Sequence, residues 1–356
     1  MHKKNNFDFL RLIFASFVLL THSYALSGTR GSDGLYHITN GQLAFSDIGV
    51  KGFFIISGFL IFQSLERSKS LLDFYWKRFL RLFPALAVVL LLTVLLAPFV
   101  YHGSTPYLSN KTVWTYLPNN LSLYRIQYNI SGIFDDNIYK SAINGSLWTI
   151  PYEFTMYVLL SFLFLFRRNK WITRVLLLVV FSLFVIENIF YSAQLDTFGN
   201  ILSISLKWLT ELGAFFIAGA LIASMKIEQS KYFNSVAFIA LAALIISLIF
   251  HHYGPAKFFT LPLVVICIGL KSTPVLNVIG DKIGDLSYGI YIYGFPVQQT
   301  LMHYFKFSCF ELLFFSLIIS YSFAYLSWHL IEAKALKLKK LQINILQLKK
   351  TPPAHF

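Results

Sequence analysis

The stretch FLRLIFASFVLLTHSYAL, from Phe9 to Leu26, is apolar enough to cross a bilayer, yet it carries Arg11 and His22. At about 100° per residue, their spacing places both side chains within roughly 20° of the same helix face. Ionisable residues inside a membrane helix usually indicate function, and two on one face suggest a track from one membrane surface towards the interior. The alternative is that Arg11 anchors the helix end and His22 hydrogen-bonds to a neighbouring helix.

The rest of the chain is also apolar. Of its 356 residues, 56% are hydrophobic and 13% are charged, whereas about a quarter of a soluble protein is charged. The net charge of +14 does not indicate nucleic acid, because the basic residues lie between apolar runs, as topology signals do. Cys267 and Cys309 both lie in apolar segments, so we predict that they pack between helices without a disulfide or a metal.

We therefore predict an all-α polytopic membrane protein with about ten transmembrane helices. The helices are placed near 8–27, 48–65, 82–101, 146–166, 171–190, 205–224, 232–250, 258–271, 286–304 and 310–332. The eighth is short and is punctuated by Pro255, Pro262 and Gly269, so we expect it to be tilted or broken. Residues 1–335 form the predicted integral-membrane domain, and residues 336–356 form a basic amphipathic tail resting on the inner leaflet, without a catalytic role.

Basic residues predict the orientation. With a cytoplasmic N-terminus, 22 of the 30 Lys and Arg residues lie on the inside and 8 on the outside. The positive-inside rule therefore predicts that both termini are cytoplasmic. The polar segment 102–145 is then external, and a loop of this length is usually functional or flexible.

Arg78 and Arg81 precede Pro84 and are three residues apart, so they are neighbours on a helix. Two guanidinium groups could hold phosphates on the cytoplasmic face. The alternative is that they anchor the helix at the interface, together with the aromatic residues around them.

The predicted fourth helix begins NGSLWTIPYEF, with Ser146 as a candidate helix cap. Glu153 then lies roughly 10 Å below the outer surface, and His22, counted from the inner surface, about 9 Å below it. At equal depth, the carboxylate could orient the imidazole and support general-base chemistry. The alternative is that Glu153 pairs with another polar group in the membrane for structural reasons.

Two further segments are open to two interpretations. Ser57 lies between small residues in the second helix, where Gly52 and Gly58 permit close helix packing. Tyr288, Tyr291 and Tyr293 at the start of the ninth helix could line a ligand vestibule or form an interfacial aromatic belt.

Taken together, these segments resemble the acyltransferase-3 family of membrane-bound O-acyltransferases. The matching motifs are R-x10-H (Arg11, His22), SGFLI (Ser57 to Ile61), R-x-x-R before proline (Arg78, Arg81, Pro84), GSLW-x-x-x-x-E (Gly145 to Glu153), SYGIY-x-Y-x-x-P (Ser287 to Pro296) and LIE (Leu330 to Glu332). The resemblance implies transfer of an acyl group, usually acetyl, from cytoplasmic acyl-CoA to a glycan hydroxyl at or beyond the outer face. It also implies that Arg11 and His22 belong to the acyl-CoA track and that His22 is catalytic.

Two positions depart from the family pattern. Lys51 stands where many members have Asp, and Gly294 stands where many members have His. The second departure disfavours a mechanism with two histidines and leaves His22 as the catalytic candidate.

The resulting hypothesis is an O-acetyltransferase of the bacterial inner membrane, which uses acetyl-CoA and no metal. Its expected partners are acyl-CoA, the lipid bilayer and a glycan such as O-antigen or exopolysaccharide, but not nucleic acid. The candidate residues are His22 and Glu153 for catalysis; Arg11, Arg78, Arg81, Tyr288 and Tyr291 for acyl-CoA; and Ser57, Ser146 and Trp148 for the acceptor. The alternatives are a transporter or flippase of lipid-linked sugars, with Arg11, His22 and Glu153 lining its pathway, and a membrane sensor without turnover.

Overall fold

The computed structural model describes residues 5–29, 33–197 and 200–340, and this part of the chain is mainly helical. Its α-helices, in chain order, are α1 (Phe7–Leu26), α2 (Gly34–Ile38), α3 (Phe45–Arg67), α4 (Leu71–Leu96), α5 (Lys111–Leu121), α6 (Ile150–Ser161), α7 (Lys170–Phe190), α8 (Ser192–Thr197), α9 (Leu206–Met225), α10 (Phe233–Ile249), α11 (Tyr253–Leu270), α12 (Ile279–Ile283), α13 (Ser287–Phe305), α14 (Cys309–Ser327) and α15 (Ala333–Lys337). Two short strands, β1 (Asn200–Ile201) and β2 (Ile204–Ser205), pair antiparallel.

Eight helical segments in the described residues are long and apolar enough to cross a membrane: those containing α1, α3, α4, α6, α7, α9, α11 and α14. The shorter apolar helix α10 and the helix α13 occupy the two remaining predicted positions. The prediction of an all-α polytopic membrane protein is therefore confirmed. Both cysteines are buried and free, as expected for packing residues.

Two predicted boundaries need correction. The third helix begins at Leu71, since Ser70 caps it by accepting a hydrogen bond from the Asp73 amide, so Arg78 and Arg81 lie within the helix. The eighth, α11, is a continuous helix from Tyr253 to Leu270 and contains Pro262 without a break.

Glycines allow α3 and α9 to touch backbone to backbone. A methyl group added at Gly58 would lie 1.8 Å from the carbonyl oxygen of Phe216, and one added at Gly219 would lie 2.1 Å from that of Ile55. No larger residue fits either position without moving a helix, which explains the small residues predicted to pack here. This contact fixes the wall of α3 that carries Ser57.

The segment 102–145 is folded and not a bare loop. It contains the helix α5, whose Val113 and Tyr116 are buried, and it forms an isolated bridge between Tyr101 and Ile133. It packs on the ends of α4 and α13, so it covers one end of the helical bundle.

The last membrane helix continues into the predicted tail. After α14, residues Trp328–Glu332 form a turn of π-helix, followed directly by α15 and a 3₁₀ turn, Leu338–Lys340. The Trp76 indole on α4 donates to the carbonyl of Leu338 at 3.3 Å, which holds this segment against α4. The remainder of the predicted tail, residues 341–356, lies outside the described residues.

Candidate active site

One cavity brings together most of the predicted site residues. It has a volume of about 270 Å³ and lies among α1, α3, α4, α6, α13 and the segment after α14. Seven of the ten candidates line it: Arg11, Ser57, Arg78, Arg81, Glu153, Tyr288 and Tyr291. Its apolar wall includes Phe53, Phe54, Leu60 and Ile61. His22, Ser146 and Trp148 do not line this cavity.

Asp285, immediately before α13, organises the charged end of the cavity. One of its carboxylate oxygens accepts from the Arg11 guanidinium and, at 2.6 Å, from Arg81 Nη2. Its other oxygen accepts from the Ser287 hydroxyl at 2.6 Å. Burial raises the pKa of Asp285, but the two guanidinium groups lower it more, so the pKa of this carboxyl lies well below its usual range.

Glu332 adds a second carboxylate to this cluster. Its Oε2 lies 3.6 Å from Arg81 Nη1, while its Oε1 accepts from Ser327 at 3.1 Å. Arg81 therefore connects α4 both to the start of α13 and to the turn after α14. Since Arg11, Arg81 and Glu332 belong to one cluster, both ends of the described chain meet on the same side of the helical bundle.

Arg78 is bound differently. It donates to the Ser64 hydroxyl at 3.2 Å and lies over the rings of Phe74 and Tyr157, 5.8 and 5.9 Å from their centroids. Its Nε is buried without a hydrogen-bond partner in the described part of the chain. The guanidinium is thus held by apolar packing and keeps donors available to a ligand.

Lys339, on the 3₁₀ turn after α15, also lines the cavity, and sequence reasoning assigned it to the tail. Burial lowers the pKa of Lys339 to about 8, and the neighbouring charges of Arg78, Arg81 and Lys77 act in the same direction. The cavity lining therefore contains four cations, Arg11, Arg78, Arg81 and Lys339, and two carboxylates, Glu153 and Asp285.

Glu153 faces this cavity and does not bond to His22. Its carboxylate accepts from the Ser57 hydroxyl at 2.9 Å and from the hydroxyl of Tyr157, one turn later on α6. The expected pairing of Glu153 with His22 is therefore corrected. Equal depth in a membrane does not bring two side chains together unless their helix faces also point towards each other.

Two of the three tyrosines at the start of α13 line the cavity. The Tyr288 hydroxyl donates to the carbonyl of Leu82 at 3.0 Å, and the Tyr291 hydroxyl lies 2.7 Å from that of Thr149. Tyr293 instead stacks on Phe323 and lines a second, apolar cavity of about 330 Å³. Tyr288 and Tyr291 thus fit the vestibule interpretation.

His22 lies one helical turn beyond the cavity. Its ring packs edge-on against Phe295, with centroids 5.0 Å apart, and Phe295 follows the cavity residue Tyr291 by four residues on α13. Four residues correspond to about 6 Å along a helix. His22 Nδ1 is buried and has no hydrogen-bond partner among the described residues.

The GSLW segment forms a 3₁₀ helix next to His22. Asn144, not Ser146, is its cap, because the Asn144 side chain accepts from the Ser146 amide at 3.1 Å. A methyl group at Gly145 would lie 2.6 Å from the Phe295 ring, so this segment packs on the same aromatic ring as His22. The buried hydroxyl of Ser146 has no partner in the described chain.

Trp148 packs edge-on against Tyr152 and Trp208, away from the cavity.

Lys51, which departs from the family pattern, belongs to a separate ionic cluster: its Nζ lies 3.1 Å from Asp47 and 3.4 Å from Glu211. Lys257 lies 2.5 Å from the same Glu211 oxygen. This cluster ties α3, α9 and α11 together and is distinct from the cavity.

Comparison with known proteins identifies a family and two relatives. A family model described as an acyltransferase domain matches residues 4–329. The chain is 32% identical to an O-acetyl transferase of Shigella phage Sf6 over 342 residues, which cover 94% of this chain and 97% of the relative. It is 28% identical to Nodulation protein 10 of Rhizobium leguminosarum bv. viciae over 386 aligned positions, covering 94% of each. No solved structure matches the chain.

Proposed function

The chain belongs to the acyltransferase family whose model matches residues 4–329, and on that basis we propose that it transfers an acetyl group from cytoplasmic acetyl-CoA to a glycan hydroxyl. The acceptor class is a surface or lipid-linked polysaccharide or oligosaccharide, and the site of action is the bacterial inner membrane. The acetyl group is supported by the name of the phage relative, an O-acetyl transferase.

The proposal that the cavity binds the acetyl donor rests on the distribution of charged and apolar residues along it. One end contains four cations, which suit the phosphate groups of CoA, and the wall beyond them is apolar and aromatic. A volume of about 270 Å³ is below the range of roughly 300–1,000 Å³ for sites that enclose a drug-sized ligand. The cavity thus suits the pantetheine arm and thioester, with the nucleotide at the charged mouth.

The acyl-transfer step is assigned to His22. A buried imidazole nitrogen without a partner can accept the proton of an acceptor hydroxyl as that oxygen attacks the thioester carbonyl, and CoA leaves as the thiolate. The thioester must then extend past Tyr291 and Thr149, which lie between the cavity and His22. Ser146, whose hydroxyl also has no partner among the described residues, follows Gly145, which packs on the ring of Phe295, and suits the acceptor side.

The folded segment 102–145 is the candidate guide for the glycan, because it covers the end of the bundle at which α1 terminates beyond His22. In the predicted orientation this end faces outwards, so donor and acceptor approach the reacting atoms from opposite sides.

The experiment is a transfer assay with purified protein in lipid nanodiscs. We expect the wild-type protein to release CoA from acetyl-CoA when a membrane glycan fraction is present, with acetyl esters appearing on the glycan by mass spectrometry. His22→Ala should abolish both signals. Absence of thioester consumption by the wild-type protein with glycans from its own host would refute the proposal.

A further inference from the structure

The charged residues at the cavity mouth fall into two groups. Arg11 and Arg81 share one oxygen of Asp285, and Arg81 also approaches Glu332. Neither Arg78 nor Lys339 forms an ion pair with a carboxylate in the described chain. A phosphate that binds to Arg11 or Arg81 must compete with the partly buried Asp285 or the buried Glu332, whereas Arg78 and Lys339 offer uncompensated positive charge.

Lys339 is held in place by its surroundings. Leu336, one turn earlier, also lines the cavity, and the indole of Trp76 fixes the carbonyl of Leu338. Lys334 and Lys337 on the same segment are exposed, so they point away from the cavity. The segment therefore directs Lys339 to the cavity and leaves Lys334 and Lys337 in solvent.

We propose that Lys339 is a phosphate-binding residue of the donor site and forms with Arg78 the pair of cations that bind the CoA nucleotide. The inference rests on the proposed function, since it presupposes an acyl-CoA donor. The C-terminal segment then takes part in substrate binding and does not only rest on the membrane surface. Arg11 and Arg81, which are held by their ion pairs, form part of the wall of the site.

The surroundings of Lys339 make its contribution dependent on pH. The charged groups around it and on the elements that pack against it are Arg11, Lys77, Arg78, Arg81, Glu153, Asp285 and Glu332. With the pKa of Lys339 at about 8, the amine is charged at pH 7 and mostly neutral at pH 9. A bound phosphate favours the charged amine, so donor affinity is full below pH 8 and falls as the pH rises through that value.

The test is a binding titration of full-length protein in nanodiscs with a non-transferable thioether analogue of acetyl-CoA, which lacks an ionisable thiol. We expect Lys339→Gln to raise Kd about 10-fold at pH 7, the loss expected for one charge-assisted contact. Wild-type Kd should rise up to about 10-fold from pH 7 to pH 9, whereas Lys339→Arg should change little, because arginine keeps its charge. Lys337→Gln, an exposed change on the same segment, is the matched control and should bind like wild type.

A second probe is the thioether analogue of acetyl-pantetheine, which has no phosphate. Lys339→Gln should bind this probe as wild type does, which excludes misfolding as the cause of weak CoA binding. If wild type binds the CoA analogue and Lys339→Gln binds it equally well at both pH values, the inference is overturned and the proposed function stands. If wild type fails to bind the CoA analogue, the proposed function itself fails.

Discussion

The His22 imidazole packs edge-on against the ring of Phe295, with their centroids 5.0 Å apart. An edge-on aromatic contact fixes the plane of the imidazole without using either ring nitrogen. Nδ1 has no partner in the described chain and is available for a proton transfer. A second polar residue often orients a catalytic imidazole. Here the aromatic side chain of Phe295 orients the ring of His22.

The first prediction concerns the role of His22 in the transfer step. As a general base it needs donor and acceptor bound together, whereas as a nucleophile it would retain the acetyl group after CoA leaves. We favour the base, because direct transfer avoids a labile acyl-imidazole. Purified protein incubated with labelled acetyl-CoA and no glycan should retain no label. Stoichiometric label that is absent in His22→Ala and moves to added glycan would establish the nucleophile.

The second prediction concerns Glu153. Glu153→Gln keeps the shape of the side chain and an oxygen that can accept from Ser57 and Tyr157, which both donate to the same carboxylate oxygen, but it removes the negative charge. We expect near-normal expression and a fall in kcat of about 100-fold, the loss expected if the negative charge of Glu153 in the cavity takes part in catalysis. Ser57→Ala, which removes one donor and retains the charge, is the control and should lose less. Wild-type turnover in Glu153→Gln would show that no ionised group is needed at this position.

The third prediction separates Arg78 from Arg81. Arg78→Ala removes a guanidinium without an ion pair, so KM for acetyl-CoA should rise about 10-fold with little change in thermal stability. Arg81→Ala leaves Glu332 and half of the Asp285 contacts without a cation, so it should lower the melting temperature as well. Lysine at position 78 should restore binding only in part, because an ammonium lacks the planar set of donors. Equal stability of the two alanine variants would contradict this distinction.

The fourth prediction concerns Asp285. Asp285→Asn removes the charge shared by Arg11 and Arg81, so two partly buried guanidinium groups repel each other and only Arg81 keeps a carboxylate nearby, that of Glu332. We expect a loss of stability of about 3 kcal/mol, measured by thermal or denaturant unfolding in detergent. Asp281→Asn, an exposed carboxylate on α12, is the matched control and should change stability little. A melting temperature of Asp285→Asn equal to that of the control would show that the cluster is not stabilising.

The fifth prediction concerns orientation. The 22-to-8 distribution of basic residues predicts that both termini face the cytoplasm and that the segment 102–145 is external. Reporter fusions at Ser131 and at the C-terminus test this directly. A reporter that works only outside the inner membrane should be active at Ser131 and inactive at the C-terminus, and the reverse result would invert the topology.

Much of the site was predictable from charge alone. Arg11, Arg78, Arg81 and Glu153 are conspicuous because each is a charge within or beside an apolar run, and all four line the cavity. The family assignment was also correct, because six motifs in a fixed order restrict a sequence far more than any one of them does. Apart from the start of the third helix, most helices were placed within a few residues, because span length is set by bilayer thickness.

The missed residues were hidden by their local context. Asp285 follows a glycine in a polar connection and looks like an ordinary loop carboxylate, since only the fold brings Arg11 and Arg81 to it. Lys339 lies among several tail lysines. It differs from Lys334 and Lys337 in its angular position on the helical segment, which directs its side chain to the cavity. Sequence counting predicted equal depths for Glu153 and His22 but could not predict the direction in which either side chain faces.

The π-helical turn at Trp328–Glu332 has a consequence for the residues that follow it. A π-turn accommodates one more residue per turn than an α-helix, so it shifts the angular position of every later side chain by about 100°. Leu336 and Lys339, which line the cavity, both follow this shift. Deletion of one residue within the turn would restore a regular helix and rotate the whole C-terminal segment, so the site is sensitive to the length of this turn as well as to its composition.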